Sequence, residues 1–290
     1  MINKYIRLLR FSHYVKNLFL FLPLFFSIKI FDLNLLLKTF LAFIAFSAIA
    51  SSLYIFNDWR DMEEDRRHFR KRNRPLASGE ISIKSGFIFG VSLFILGLTL
   101  AYLISYEMIY LVLIYLGLNI LYSTLLKQVS ILDIIIIAIG FVIRILIGGV
   151  INEIKISMWL IVMTFLLALF IALGKRREDV IIFKENDSNL VRKSIHGYNL
   201  FFLDYSMIML TSIIVVSYIM YSISPEVVEH FKTDKLYLTT LFVIMGVLRY
   251  LQIAFVENKT GSPVDLLFED RFIQISIVGW VLTFYLMIYY

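Results

Sequence analysis

Nine apolar stretches, each near twenty residues long, dominate this sequence, at about 14–31, 36–57, 85–105, 107–125, 131–151, 156–174, 202–222, 236–255 and 272–290. Each approximates the ~20 residues that an α-helix needs to cross the hydrocarbon core of a bilayer. Only helices and closed barrels satisfy their backbone hydrogen bonds in lipid, and stretches of this length read as helices. With 60% of its 290 residues hydrophobic, the chain carries more apolar surface than a soluble domain hides. The expectation is an all-α, polytopic bundle of nine transmembrane helices. No linker rich in Pro, Gly or Ser divides it, so 1–290 reads as a single membrane domain.

Charge sets the expected orientation. With the N-terminus in the cytoplasm, the inside segments are 1–17, 60–84, 126–129, 175–193 and 256–271, and they hold 21 of the 28 Lys and Arg. The positive-inside rule then gives N-in and C-out. Lys4, Arg7 and Arg10 ahead of an apolar run resemble a signal peptide, but no small-residue cleavage site follows and Lys16 interrupts the run. The net charge of +6 fits loops facing anionic lipid rather than nucleic acid, because the basic residues gather at loop ends without interleaved aromatics. With no cysteine, disulfides and thiolate chemistry are excluded.

The strongest chemical signal is Asn57-Asp58-(x)2-Asp61-(x)3-Asp65, at the expected cytoplasmic end of the second span. If the helix continues, Asn57, Asp61 and Asp65 recur at i, i+4 and i+8, with Asp58 alongside. Unpaired carboxylates so spaced repel each other. A hard divalent cation relieves this, and Mg2+ takes oxygen ligands while keeping waters and substrate phosphates in its shell. The alternative is a solvated helix end paired to Arg60, Arg66 and Arg67. Next comes a cationic stretch, His68-Phe69-Arg70-Lys71-Arg72-Asn73-Arg74, closed by the turn Pro75-Leu76-Ala77-Ser78-Gly79. Guanidinium forks grip phosphate in bidentate fashion; the competing role is a positive-inside anchor. A third group is Lys175-Arg176-Arg177-Glu178-Asp179, followed by Glu185, Asp187, Arg192, Lys193 and Tyr198, with surface ion pairs as its plainer reading. Asp133 and Arg144 lie three turns apart within the fifth span, where charge is costly and normally faces an interior cavity or a partner helix. The last inside loop carries Gly261-Ser262-Pro263-Val264-Asp265 and Glu269-Asp270-Arg271, a binding element or a turn and helix cap. The four His show no metal-ligand spacing.

Taken together, these residues resemble the UbiA prenyltransferase superfamily: an Asn-Asp-x-x-Asp-x-x-x-Asp motif ends the second of nine spans, and large loops follow spans two and six. Several blocks are similar to one branch, the decaprenyl-phosphate phosphoribosyltransferases. They are Val15-Lys16-Asn17, the stretch from Asp65 to Gly79, Tyr122-Ser123 with Lys127, Asp133 with Arg144, Gly174-Lys175-Arg176-Arg177 and Gly261-Ser262-Pro263. Two positions depart from the pattern. Arg177-Glu178-Asp179 stands where aromatic prenyltransferases carry a clean Asp-x-x-x-Asp, and Phe69 replaces a proline. In the phosphoribosyl branch the carboxylate falls at the position of Asp179.

The resemblance implies transfer of 5-phosphoribose from phosphoribosyl pyrophosphate (PRPP) to a membrane polyprenyl phosphate, with release of pyrophosphate. On that basis Asn57, Asp58, Asp61 and Asp65 hold Mg2+ against the pyrophosphate, and Arg66, Lys71, Arg72 and Arg74 bind donor phosphates. Lys127, Lys175 and Arg176 are candidates for the 5-phosphate or the acceptor phosphate. Lys16 and Asn17, at the membrane rim, guide the lipid head group. Tyr54, Tyr122, Asp133, Arg144, Asp179 and Tyr198 complete the expected substrate-binding set, and Asp58, Asp61, Lys175 and Arg176 are the expected catalytic residues. In-line attack predicts inversion at the anomeric carbon. The acceptor phosphate is already anionic, so no strong general base is required, in keeping with the absence of a catalytic His arrangement. A prenyltransferase using a polyprenyl diphosphate donor would show the same metal motif. A transporter of phosphorylated solutes would instead show paired Gly- or Pro-broken spans near the midplane.

Overall fold

The computed structural model describes residues 2–67, 71–186, 193–258 and 263–289, and all regular structure among them is helical. In chain order the α-helices are α1 (Ile2–Leu9), α2 (Leu22–Phe26), α3 (Leu33–Arg60), α4 (Met62–Arg67), α5 (Ile83–Ile104), α6 (Tyr106–Thr124) and α7 (Leu132–Ile151). They continue with α8 (Met158–Asn186), α9 (Leu200–Ile223), α10 (Pro225–Phe231), α11 (Thr240–Phe255), α12 (Pro263–Glu269) and α13 (Arg271–Tyr289). Side chains with short polar acceptors start several of the long helices. Asp32 accepts from the Asn34 and Leu35 amides, Ser82 from Ser85, Ser105 from Glu107 and Asn199 from Phe202. Each such cap contributes about 1 kcal/mol.

The chain folds as two compact units. The first comprises Met1–Gln128 and Ile139–Ser157, the second Val129–Ala138 and Met158–Tyr290, so α7 contributes to both. In the first unit α3 and α5 pack closely. A Cβ at Gly97 would lie 2.6 Å from Ile49 Cγ1 and 2.8 Å from the Ala45 carbonyl oxygen. α5 buries its small residues, Gly86, Gly90, Gly97 and Ala101, and exposes Phe87, Ile88, Ile95 and Leu103. Small residues inward and large apolar residues outward is the pattern of a helix in lipid, where close backbone approach drives association. Around Phe46 and Ile49, the first core also includes Leu20, Met108, Val112 and Ile143; the second gathers Phe170, Leu173, Met207, Leu210 and Tyr250.

Eight of the described helices are long and apolar enough to cross a membrane. They correspond to every expected span except the first. Residues 14–31 do not form one continuous helix: Phe11–Phe21 is a 3-10 helix, α2 follows with Pro23 in its first turn, and Ile28 adopts a positive φ of 61°. Polar anchoring explains the tighter winding. Tyr14 Oη lies 2.9 Å from Ser51 Oγ, and Asn17 Nδ2 donates to Ser47 Oγ at 2.8 Å. Three residues of a 3-10 helix rise ~6 Å, matching four residues of an α-helix, so residues 14 and 17 meet residues 51 and 47 in register. Gly148 completes the fit, because a Cβ there would overlap the Leu20 carbonyl oxygen. A second difference concerns the expected inside segment 175–193. α8 continues to Asn186, so Lys175 through Lys184 are helical rather than loop.

Candidate active site: a carboxylate cluster matched by its own cations

The helical path of α3 persists through the motif. Asp61 N donates to Asn57 O at 2.9 Å, and Asp65 N to Asp61 O at 2.8 Å. The four polar side chains divide between two directions. Asn57 and Asp61, one turn apart, face the end of α6: Ser123 donates to Asn57 Oδ1, and Lys127 Nζ donates to Asp61 Oδ1 at 2.7 Å. Asp58 and Asp65, two turns apart and each 2% exposed, share Arg74, whose Nη1 lies 3.1 Å from Asp58 Oδ1 and 2.5 Å from Asp65 Oδ2. Arg10 makes a second ion pair to Asp58. The like-charge repulsion expected from the sequence is therefore relieved by three cations, Arg10, Arg74 and Lys127, set against three carboxylates.

Neighbouring backbone holds these cations in place. The turn after Arg74 is closed by Ser78 N to Arg74 O at 2.9 Å and Ile81 N to Pro75 O at 3.0 Å. Arg66 donates to Ala77 O at 3.1 Å and to Glu63 at 2.7 Å, a scaffold contact rather than a free fork. α1 secures the same loop: Lys4 donates to Glu80 O at 2.9 Å, and Arg7 reaches Glu80 at 3.0 Å and also the Asn73 carbonyl. Lys71 and Arg72 form the short 3-10 turn Lys71–Asn73 next to Arg74. Tyr54 lies under the Arg10 guanidinium, 5.1 Å from ring centre to Cζ, and against His13. Tyr122 precedes Ser123 on α6. His68–Arg70, Asp187, Arg192 and Gly261–Ser262 lie outside the described residues.

Arg144 is 4% exposed. Its Nε donates to Asn17 Oδ1 at 2.8 Å, Nη1 to Gly140 O at 2.6 Å and Nη2 to Tyr115 Oη at 3.2 Å. Phe46, Tyr115 and Phe141 surround it, with ring centres 4.9, 5.2 and 5.4 Å from Cζ. Asn17 is 1% exposed, so its side chain lies inside the first unit.

In the second unit, Asp133 is fully buried. Tyr198 Oη donates to Asp133 Oδ1 at 2.6 Å and accepts from Ile131 N at 2.6 Å. Arg176, 2% exposed, lies with Nε 3.0 Å from Asp133 Oδ2, and its Nη1 pairs with Asp179. Burial, then the hydrogen bond to Asp133, pushes the Tyr198 phenol well above its usual range, so it acts as a proton donor. Lys175 is the preceding residue on α8. Asp133 and Arg144 thus have separate partner sets. Arg177 is a structural clamp: it donates to Asp204 at 2.7 Å and Asn258 at 2.8 Å, and it lies over Phe255.

From sequence alone Arg10 is legible only as part of a general positive N-terminus, and Ser123 stands beside Tyr122 without its bond to Asn57. The i, i+3 spacing of Lys4, Arg7 and Arg10 places these cations on neighbouring turns, and was the available clue.

Does the first cluster suit a divalent metal? Its donors are all oxygen, the preference of a hard cation such as Mg2+. Among the described residues no three Asp, Glu or His converge into a metal cage. Mg2+ is usually held by one or two carboxylates together with substrate phosphates, and Asp58, Asp61 and Asp65 can supply that share.

The family model for the UbiA prenyltransferase family matches residues 19–275. The decaprenyl-phosphate phosphoribosyltransferase of Mycolicibacterium smegmatis is 29% identical over 259 residues, covering 87% of this chain and 81% of that protein. Its Corynebacterium glutamicum counterpart is 28% identical, covering 90% and 78%. A Sinorhizobium fredii protein, y4nM, is 37% identical over 168 residues; the match covers 58% of this chain and spans only 33% of that protein's length. The solved structure of a UbiA homolog from Archaeoglobus fulgidus bound to GPP and Mg2+ matches 98% of this chain and 99% of its own, with a TM-score of 0.71 at 20% identity.

Proposed function

The chain belongs to the UbiA prenyltransferase family, and we propose that it transfers 5-phosphoribose from PRPP to a membrane polyprenyl phosphate. One observation carries the reading: three buried or half-buried carboxylates arrive already matched by Arg10, Arg74 and Lys127. Such cations can turn from carboxylate to phosphate when a metal-bound diphosphate enters. The two decaprenyl-phosphate phosphoribosyltransferase relatives, matched over most of their length, favour PRPP as donor.

In this account Asn57, Asp58, Asp61 and Asp65 would hold Mg2+, which would supply positive charge to offset the diphosphate leaving group. Arg74, Arg10 and Lys127 grip the diphosphate oxygens, and Lys71 and Arg72 add charge along its path. An acceptor phosphate oxygen forms the new bond to the anomeric carbon from the opposite face, pyrophosphate leaves, and the configuration inverts. Positive charge develops on the ribose ring, as in glycosyl transfer generally. Positioning and electrostatics supply most of the catalysis, without a general base. In the second unit, the Tyr198–Asp133–Arg176–Asp179 chain fixes the α8 segment that presents Lys175 to a substrate phosphate. We place the N-terminus and the catalytic residues on the cytoplasmic side of the cell membrane, from the concentration of Lys and Arg in 1–17, 60–84 and 175–193.

A donor-label experiment tests the assignment. Purified protein is given a polyprenyl phosphate and ribose-labelled PRPP, or an aromatic or glycerol-phosphate acceptor and labelled prenyl diphosphate. The ribose label should enter lipid. Entry of the prenyl label instead would establish the second reading, a prenyltransferase, which the GPP-bound fold relative favours.

A further inference from the structure

The charges of the first unit do not balance once the carboxylate cluster is complete. Arg10, Arg74 and Lys127 are matched by Asp58, Asp61 and Asp65. Two further cations held inside the unit, Lys16 and Arg144, pair with no carboxylate among the described residues. Arg144 is 4% exposed and bonds only to neutral acceptors, Asn17, Gly140 O and Tyr115. Three of its five N–H groups are accounted for by these bonds, which leaves two. Lys16 is half-buried and makes no hydrogen bond or ion pair among the described residues. Its ammonium is near enough to Arg144 and Arg10 to be repelled by both. The 3-10 winding explains the placement: residues 13, 16 and 19 form one eclipsed row. His13 in that row packs on Tyr54 and Phe19 on Phe141, so Lys16 projects between α3 and α7.

Two uncompensated charges in an apolar surround are expensive, and membrane segments rarely keep such charges without a functional partner. We infer that Lys16 and Arg144 form a metal-free seat for a phosphate monoester, the head group of the polyprenyl phosphate acceptor. This rests on the proposed function above. A phosphate monoester carries about −1.5 to −2 at neutral pH, which offsets the two cations. Its three terminal oxygens can accept the three Lys16 N–H and the two remaining Arg144 N–H groups. Among the described residues no carboxylate pairs with Lys16 or Arg144, which suits a monophosphate and not a metal-bound diphosphate. Phe11 and Leu18, exposed on the same 3-10 helix, offer apolar surface beside which a prenyl tail can run. Arg10 links the seat to the carboxylate cluster, because it repels Lys16 and bonds Asp58.

The test uses the full chain in nanodiscs with EDTA present, and reads affinity for decaprenyl phosphate against decaprenol and inorganic phosphate. Lys16→Gln should weaken decaprenyl phosphate about tenfold, equivalent to ~1.4 kcal/mol, and Lys16→Arg should restore it. Affinity for PRPP with Mg2+ should stay within about twofold, since a tenfold change is what losing the charge pair would cause. Without ligand, Lys16→Gln should melt higher than wild type, because an unpaired charge is gone; this also guards against a folding artefact. Unchanged lipid affinity in Lys16→Gln overturns the seat, as does a loss confined to PRPP. Full competition by inorganic phosphate at the lipid's own affinity reassigns the seat to a soluble phosphate. If wild type binds decaprenyl phosphate through Lys16 yet makes no product from PRPP, the donor assignment fails and the seat stands. If PRPP is used and Lys16→Gln binds lipid normally, the seat alone fails.

Discussion

Arg74 holds two buried carboxylates with a single nitrogen, which makes it the sensitive point of the first cluster. Arg74→Ala should lower stability by on the order of 3 kcal/mol, because it strands buried charge, and should raise the KM for PRPP. Arg74→Lys, which keeps one cationic nitrogen in reach, should recover most of the stability in a thermal melt. Asp61 behaves differently. Its side chain is 25% exposed and its partner is Lys127, so Asp61→Ala should cost no more than about 1 kcal/mol of stability while abolishing turnover. In the second unit, Tyr198 stays protonated because burial and its bond to Asp133 raise its pKa. Tyr198→Phe should therefore reduce kcat without altering the shape of the pH–rate profile between about pH 6 and 9. A basic limb that disappears in this variant would show that the phenol titrates during turnover.

At the scale of elements, the 3-10 helix Phe11–Phe21 sets the positions of Lys16 and Asn17, and Gly148 permits it. Gly148→Ala forces the Leu20 backbone away, and should lower both the melting temperature and decaprenyl phosphate affinity more than PRPP affinity. The long helices were legible in the sequence because a twenty-residue apolar run in lipid has few alternatives. The segment 14–31 was not, since its composition is mostly apolar, like a span, while its winding is decided by Ser47 and Ser51 on another helix. Likewise α8 continues past Gly174 because Arg176 finds Asp133 and Asp179, partners that turn a charged run into buried structure. The Asn57–Asp65 motif announced its carboxylates, but not their cations. Arg10, 48 residues from Asp58 in sequence, is brought to it only by tertiary packing.

For the whole molecule, eight of the described helices are long and apolar enough to cross a membrane, and in the proposed function the ligands supply the anionic charge that Lys16 and Arg144 lack. Because its carboxylates are already paired, the first cluster should bind metal weakly alone and strongly with donor. Mg2+ by itself should leave the melting temperature nearly unchanged, PRPP with Mg2+ should raise it, and EDTA should stop transfer while helix content by circular dichroism is retained. The central claim is that this carboxylate cluster releases pyrophosphate from PRPP onto a lipid phosphate. The most direct measurement is a single-turnover assay with β-phosphate-labelled PRPP, comparing wild type with Asp61→Ala. Wild type should release labelled pyrophosphate only when polyprenyl phosphate is present, with one phosphoribosyl lipid formed for each pyrophosphate, and Asp61→Ala should release none. Wild-type release rates in Asp61→Ala, or no acceptor-dependent release from wild type, would contradict the account.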